Sequence, residues 1–101
     1  MHTVTAQFTI LPGKEAAAEA AIKKVVAEVE KNEPGAVAYH WHRNKKDPMQ
    51  VLVFEIWKDD AAVEAHRGTP YLTEFQSLFG TVFDPASVKL TRWDRVAAVN
   101  R

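Results

Sequence analysis

The sequence predicts an α+β fold of the ferredoxin-like kind, in the order strand, helix, strand, strand, helix, strand. Three observations carry this. Four segments alternate apolar and polar residues with period two, the mark of strands. Two intervening segments place apolar residues three and four apart, the mark of helices. Proline and glycine fall at the breaks between them. Four such strands make one antiparallel sheet with both helices on one face.

The first strand is Thr3 to Leu11, with Val4, Ala6, Phe8 and Ile10 on one side and threonine and glutamine on the other. Pro12-Gly13 ends it. Lys14 to Lys31 is rich in alanine and charge, which favours helix. Ala18, Ile22, Val25 and Val29 form its apolar stripe, and Glu19 and Lys23 are a favourable pair four apart on the solvated side. Asn32-Glu33-Pro34-Gly35 stops the helix.

The second strand, Ala36 to Arg43, puts Val37, Tyr39 and Trp41 on one face and Ala38, His40 and His42 on the other. The polar, proline-containing run Asn44 to Pro48 is a hairpin loop. The third strand, Met49 to Lys58, sends Glu55 and Trp57 to a common face. Asp59 and Asp60 suit a helix N-cap, since a carboxylate accepts from the unpaired N–H groups of a first turn. Ala62, Val63 and His66 follow at helical spacing, so His66 is expected to look from the helix toward Glu55 and Trp57.

Gly68 interrupts this helix, and Thr69-Pro70 restarts it with an N-cap and a proline at the first helical position. Tyr71, Leu72, Phe75, Leu78 and Phe79 form a broad stripe, and Gly80 suits the position just past the end. Asp84-Pro85 is a turn, and Ser87 to Trp93 is the last strand, with Val88 and Leu90 on one face.

The chain has 101 residues, 47% hydrophobic and 26% charged, which suits a single domain spanning 1–101 with a real core. Lysine plus arginine number 13, as do aspartate plus glutamate, so electrostatics give no reason to expect nucleic acid or an anionic membrane. Cysteine is absent, which removes disulfides, thiolate nucleophiles and cysteine metal sites. The first residues lack the charged and apolar regions of a signal peptide, and a cytoplasmic location is expected.

Helices cover one face of the sheet, yet the third strand is apolar on both. Leu52, Phe54 and Ile56 therefore need a second layer. A two-fold copy packed sheet to sheet supplies it, and a homodimer is expected. The alternative cover is the tail, Val96 to Val99, folded back.

Aromatic and apolar side chains on the broken helix, above a sheet that offers Trp57, are the lining of a small-molecule site. Taken as that lining, Tyr39, Tyr71, Phe75 and Phe79 contact substrate; taken as plain packing, Leu72, Phe75 and Leu78 are core. His66 is the strongest candidate for chemistry. A free imidazole titrates near ~6.5 and is largely neutral at pH 7, able to take a proton from an acidic substrate. Glu55 would orient it or hold a substrate hydroxyl. The competing reading makes His66 a core residue satisfied by one hydrogen bond. His40 and His42 share a strand face, as the start of a metal site would, but no third ligand stands at a matching spacing. No Gly-x-Gly-x-x-Gly, phosphate loop or Gly-x-Ser-x-Gly is present.

The assembled pattern resembles the antibiotic biosynthesis monooxygenase family, small dimeric proteins also described as dimeric α/β barrels. The likeness rests on Pro34-Gly35-Ala36-Val37-Ala38-Tyr39, on Phe54-Glu55-Ile56-Trp57-Lys58-Asp59, on Ala62, Ala65-His66, Thr69-Pro70 and Phe75, and it spans about residues 1 to 94. It implies a homodimer with a cavity between sheet and helices. For some members it implies oxygenation of phenols or hydroquinones by molecular oxygen, with no metal, flavin or haem. His66 would then be the base, Trp57 and Tyr39 ring-contacting donors, and Glu55 the orienting group. A related branch that opens haem carries its iron-ligating histidine where this chain has Gln76, so haem degradation is not expected. Another branch isomerises a phosphorylated sugar; Arg43, Lys58 or Arg67 would have to serve the phosphate, and no anion cradle is visible. An isomerase or lyase using the same His66 cavity, and a non-catalytic binding module, are the alternatives.

Overall fold

The computed structural model describes residues 1–101. The strands are β1 (His2–Thr9), β2 (Ala36–Arg43), β3 (Gln50–Trp57) and β4 (Lys89–Trp93), and the helices α1 (Glu15–Asn32), α2 (Asp60–Arg67) and α3 (Pro70–Gln76). The strands form one antiparallel sheet in the order β2-β3-β1-β4, the expected ferredoxin-like arrangement.

Local chemistry explains most boundaries. Gly13 takes a positive φ of 78°, where a side chain would be strained, and turns β1 toward α1. Ala18, Val25 and Val29 are the buried stripe of α1. The Asp59 carboxylate accepts the Ala62 N–H at 2.9 Å and starts α2. Thr69 caps α3, and its hydroxyl also donates to the His66 carbonyl at 2.8 Å, tying the two helices at their break. α3 ends at Gln76 rather than continuing to Phe79, and the chain turns through Gly80 at φ 104°. That turn buries Val82 and Phe83, which lie outside the apolar stripe expected to end at Phe79; Phe83 bridges both Ile10 and Phe79. β4 is shorter than expected because Pro85–Ser87 forms a 3₁₀ turn, with the Ser87 hydroxyl accepting the Thr9 N–H at 2.8 Å.

One strand departs from strict alternation. Between Ala36 and Ala38 the register of β2 against β3 shifts by one residue. Val37 is the extra residue and is 53% exposed, so it does not share the inner face with Tyr39 and Trp41.

The solid core lies at one end of the sheet. Phe8, Phe75, Phe79 and Phe83 pack there mostly edge to face, with Trp41 against Phe8 and Phe75. The opposite sheet face carries Leu52, Phe54 and Ile56, half-buried, beside His40 and His42. The tail does not cover it: Val96 is 99% exposed. No helix is long and apolar enough to cross a membrane.

Candidate active site

The inner sheet face is ordered in rows by the strand register. In one row Tyr39, Glu55, Val4 and Arg92 stand side by side across β2, β3, β1 and β4. In the next stand Trp41, Val53, Ala6 and Leu90. The large side chains are on β2 and the small ones on β1, so the centre of the floor is low. α2 and α3 pass above it with Val63, His66, Leu72, Phe75 and Gln76, and Phe79 follows just past the end of α3. Between floor and roof lies a cavity of about 470 Å³, mostly apolar in lining. That is in the range of a small-molecule pocket.

At the end away from the phenylalanine core, three aromatic rings meet. The His66 ring lies 4.4 Å from that of Trp57, tilted by 34°, and 5.5 Å from that of Tyr39. The expected meeting of His66 with Trp57 across the capped turn is therefore present. The carboxylate that holds His66 is not the expected one. His66 Nδ1 donates to Glu33, at 2.9 Å to Oε2 and 3.1 Å to Oε1. Glu55 instead accepts the Trp57 Nε1–H at 2.9 Å. Trp57 is 1% exposed and its single N–H is taken by Glu55, so of the two expected ring-contacting donors, Trp57 and Tyr39, Trp57 has no N–H left to offer.

In the sequence Glu33 belongs to the run that stops α1 and carries no mark of a site residue. It is the C-cap residue of that helix, and both it and His66 are buried. A carboxylate at a helix C-terminus faces the negative end of the helix dipole and gains nothing there. Its support comes from donors: the His66 N–H and the Tyr71 hydroxyl, which makes a short hydrogen bond to Oε2. Tyr71 thus points to Glu33 and does not line the cavity, contrary to its expected contact with substrate. The signal available in the sequence is weak: an acid just ahead of Pro-Gly, with no basic residue three or four positions before it to make it a helix-surface pair.

Because a carboxylate can only accept, Nδ1 carries the hydrogen and Nε2 is the nitrogen left for chemistry. Nε2 makes no hydrogen bond in the chain and is not sealed from solvent. His66 is itself a lining residue of the cavity.

Two further groups are perturbed. Burial raises the Glu55 carboxyl above its ordinary range, opposed by the Trp57 N–H and by His66. Burial also pushes the Tyr39 phenol far up, reinforced by Glu55, so it stays protonated and able to donate. The Trp41 indole N–H is buried without an acceptor; it lies near the Tyr39 oxygen without a well-formed hydrogen bond to it. Tyr71 is likewise held protonated, by burial and by its bond to Glu33. His40 and His42 lie on the outer face, ring centroids 6.3 Å apart, with no third ligating side chain beside them.

The fold and site together define a ferredoxin-like α+β domain with one apolar chamber, a carboxylate-held imidazole and a protonated phenol. The family model for antibiotic biosynthesis monooxygenase matches residues 1–78, and the chain belongs to that family. The chain is 29% identical to PA3566 of Pseudomonas aeruginosa, whose crystal structure superposes with a TM-score of 0.84 over 95% of this chain and 94% of that one. A crystal structure of an antibiotic biosynthesis monooxygenase, 26% identical, gives a TM-score of 0.84 over 96% and 100% of the two chains. The uncharacterized protein sll1783 of Synechocystis sp. is 30% identical over 71 residues, 69% of this chain and 48% of its own length. The chain thus spans about half the length of that relative.

Proposed function

We propose that this protein is an oxygenase for a hydroxylated aromatic or quinol-type molecule, acting as a homodimer. The observation that carries the reading is the Glu33–His66 pair beside an apolar cavity that His66 lines, with Nε2 left unpaired. Membership of the antibiotic biosynthesis monooxygenase family supports it.

The chemistry follows from the substrate class. A phenol flanking an activated methylene is acidic, and its anion is electron-rich. Nε2 of His66 takes the proton, and Glu33 stabilises the imidazolium so formed. The anion passes one electron to molecular oxygen, and the resulting radical and superoxide join at carbon. The peroxide is protonated and loses water, leaving a carbonyl. The carbon gives up four electrons in all; one oxygen atom stays in the product and the other leaves as water. The apolar lining keeps bulk water from the anion, and the Tyr39 hydroxyl donates to the oxygen on which charge develops. The homodimer is supported by Leu52, Phe54 and Ile56, apolar side chains with no cover on the outer sheet face.

The test is oxygen uptake with a panel of hydroquinones and anthrone-like phenols. His66→Ala should lower turnover by about 10²–10⁴-fold, the usual contribution of a positioned base. Glu33→Gln should lower it less, with ligand binding retained. Equal rates in wild type and His66→Ala would remove the assignment.

A further inference from the structure

The cavity has one cation without a counter-ion. Arg67, on the roof, is paired with Glu64 at 3.2 Å. Arg92, an exposed residue of β4 that lines the cavity, makes no ion pair and no side-chain hydrogen bond. Glu55 shares its row but lies two strands away, across Val4, and forms no ion pair with it. The row therefore has a phenol and a carboxyl at the β2–β3 end, an apolar gap over Val4, and a guanidinium at the β4 end. With strands ~4.8 Å apart, the backbones of Tyr39 and Arg92 are separated by about 14 Å. The cavity of about 470 Å³ between these ends is large enough for a ligand of two fused rings.

We propose that the molecule this cavity takes carries a carboxylate as well as its hydroxyl, and that Arg92 reads the carboxylate. The inference rests on the reading above only in placing the hydroxyl at the His66 end. The ring lies over Val4 and Ala6, and the carboxylate meets the planar guanidinium at the far end, where two parallel N–H donors match two oxygens. A neutral ring fills the apolar part equally well but leaves Arg92 unmatched. Arg92 is thus a specificity-determining residue, remote from the reacting atoms.

The experiment is equilibrium binding of a hydroxynaphthoate and of the matching naphthol, followed by quenching of tryptophan fluorescence under argon, so that no turnover intervenes. The acid should bind about tenfold tighter than the naphthol, the scale of a charge-assisted contact at a partly solvated site. Arg92→Gln should bring the two close to equal while leaving naphthol affinity unchanged, and Arg92→Lys should restore part of the preference. Added salt should shrink the preference in wild type. Equal binding of the two compounds by wild type, or a preference that survives in Arg92→Gln, overturns the proposal. A preference lost with Arg92, together with equal oxygen uptake by wild type and His66→Ala on the anthrone-like phenols, would uphold this inference and remove the oxygenase reading.

Discussion

Glu55 and Glu33 are two carboxylates at one site with different support. Glu33 accepts from two side chains, an imidazole and a phenol. Glu55 accepts from one indole and is otherwise desolvated. A carboxyl whose pKa is raised on folding binds its proton more tightly in the native state. Its ionised form then costs stability, fully above the folded pKa and not at all below the unfolded value of about 4.5. Glu55→Gln keeps an oxygen for the Trp57 N–H and removes the charge. The variant should unfold at higher urea than wild type at pH 7, with the gap closing as pH falls toward 4.5. A gap that does not change with pH would mean that Glu55 is not held against its desolvation cost.

At the scale of elements, the placing of His66 depends on how closely α2 approaches the start of β2. A Cβ built on Gly35 would stand 2.5 Å from the Ala62 Cβ in the first turn of α2. The same glycine accepts the Lys58 N–H at 2.9 Å, which fixes the exit of β3 beside it. Glycine here gives close approach rather than an unusual φ. Gly35→Ala should push the first turn of α2 outward, cost about 1–3 kcal/mol in urea denaturation as overpacked sites do, and weaken ligand binding by moving His66. Adding Ala62→Gly should recover part of the stability, less the cost of glycine in a helix. Independent, additive effects of the two changes would show that they do not share the contact.

For the whole molecule, the two sheet faces have different fates. The inner face builds the chamber under the helices. On the outer face, Phe54 stands between Thr5 and His40 in its row, flanked along β3 by Leu52 and Ile56. Phe54→Asp places a charge in the centre of that patch and leaves the inner face untouched. Light scattering should show wild type at twice the chain mass and Phe54→Asp at the mass of one chain, with unchanged circular dichroism. A wild-type protein of single-chain mass at micromolar concentration would remove the dimer from the proposed function.

Much of this was present in the order of residues, because it depends on neighbours in sequence. Period-two alternation placed all four strands, and the Asp59 and Thr69-Pro70 caps placed the break between α2 and α3. The strand-to-helix spacing was enough to bring His66 over Trp57. The tertiary structure alone decided which carboxylate holds the imidazole. Glu33 and Glu55 are both acids near an apolar strand, and only the packing of the α1 C-terminus against α2 and α3 selects the first. It likewise turned Tyr71 away from the chamber, because the phenol, on the second residue of α3, is held by Glu33 at the C-terminus of α1. Arg92 acquired its meaning only when β1 paired with both β3 and β4, for register across strands is a relation between distant residues and has no local signal.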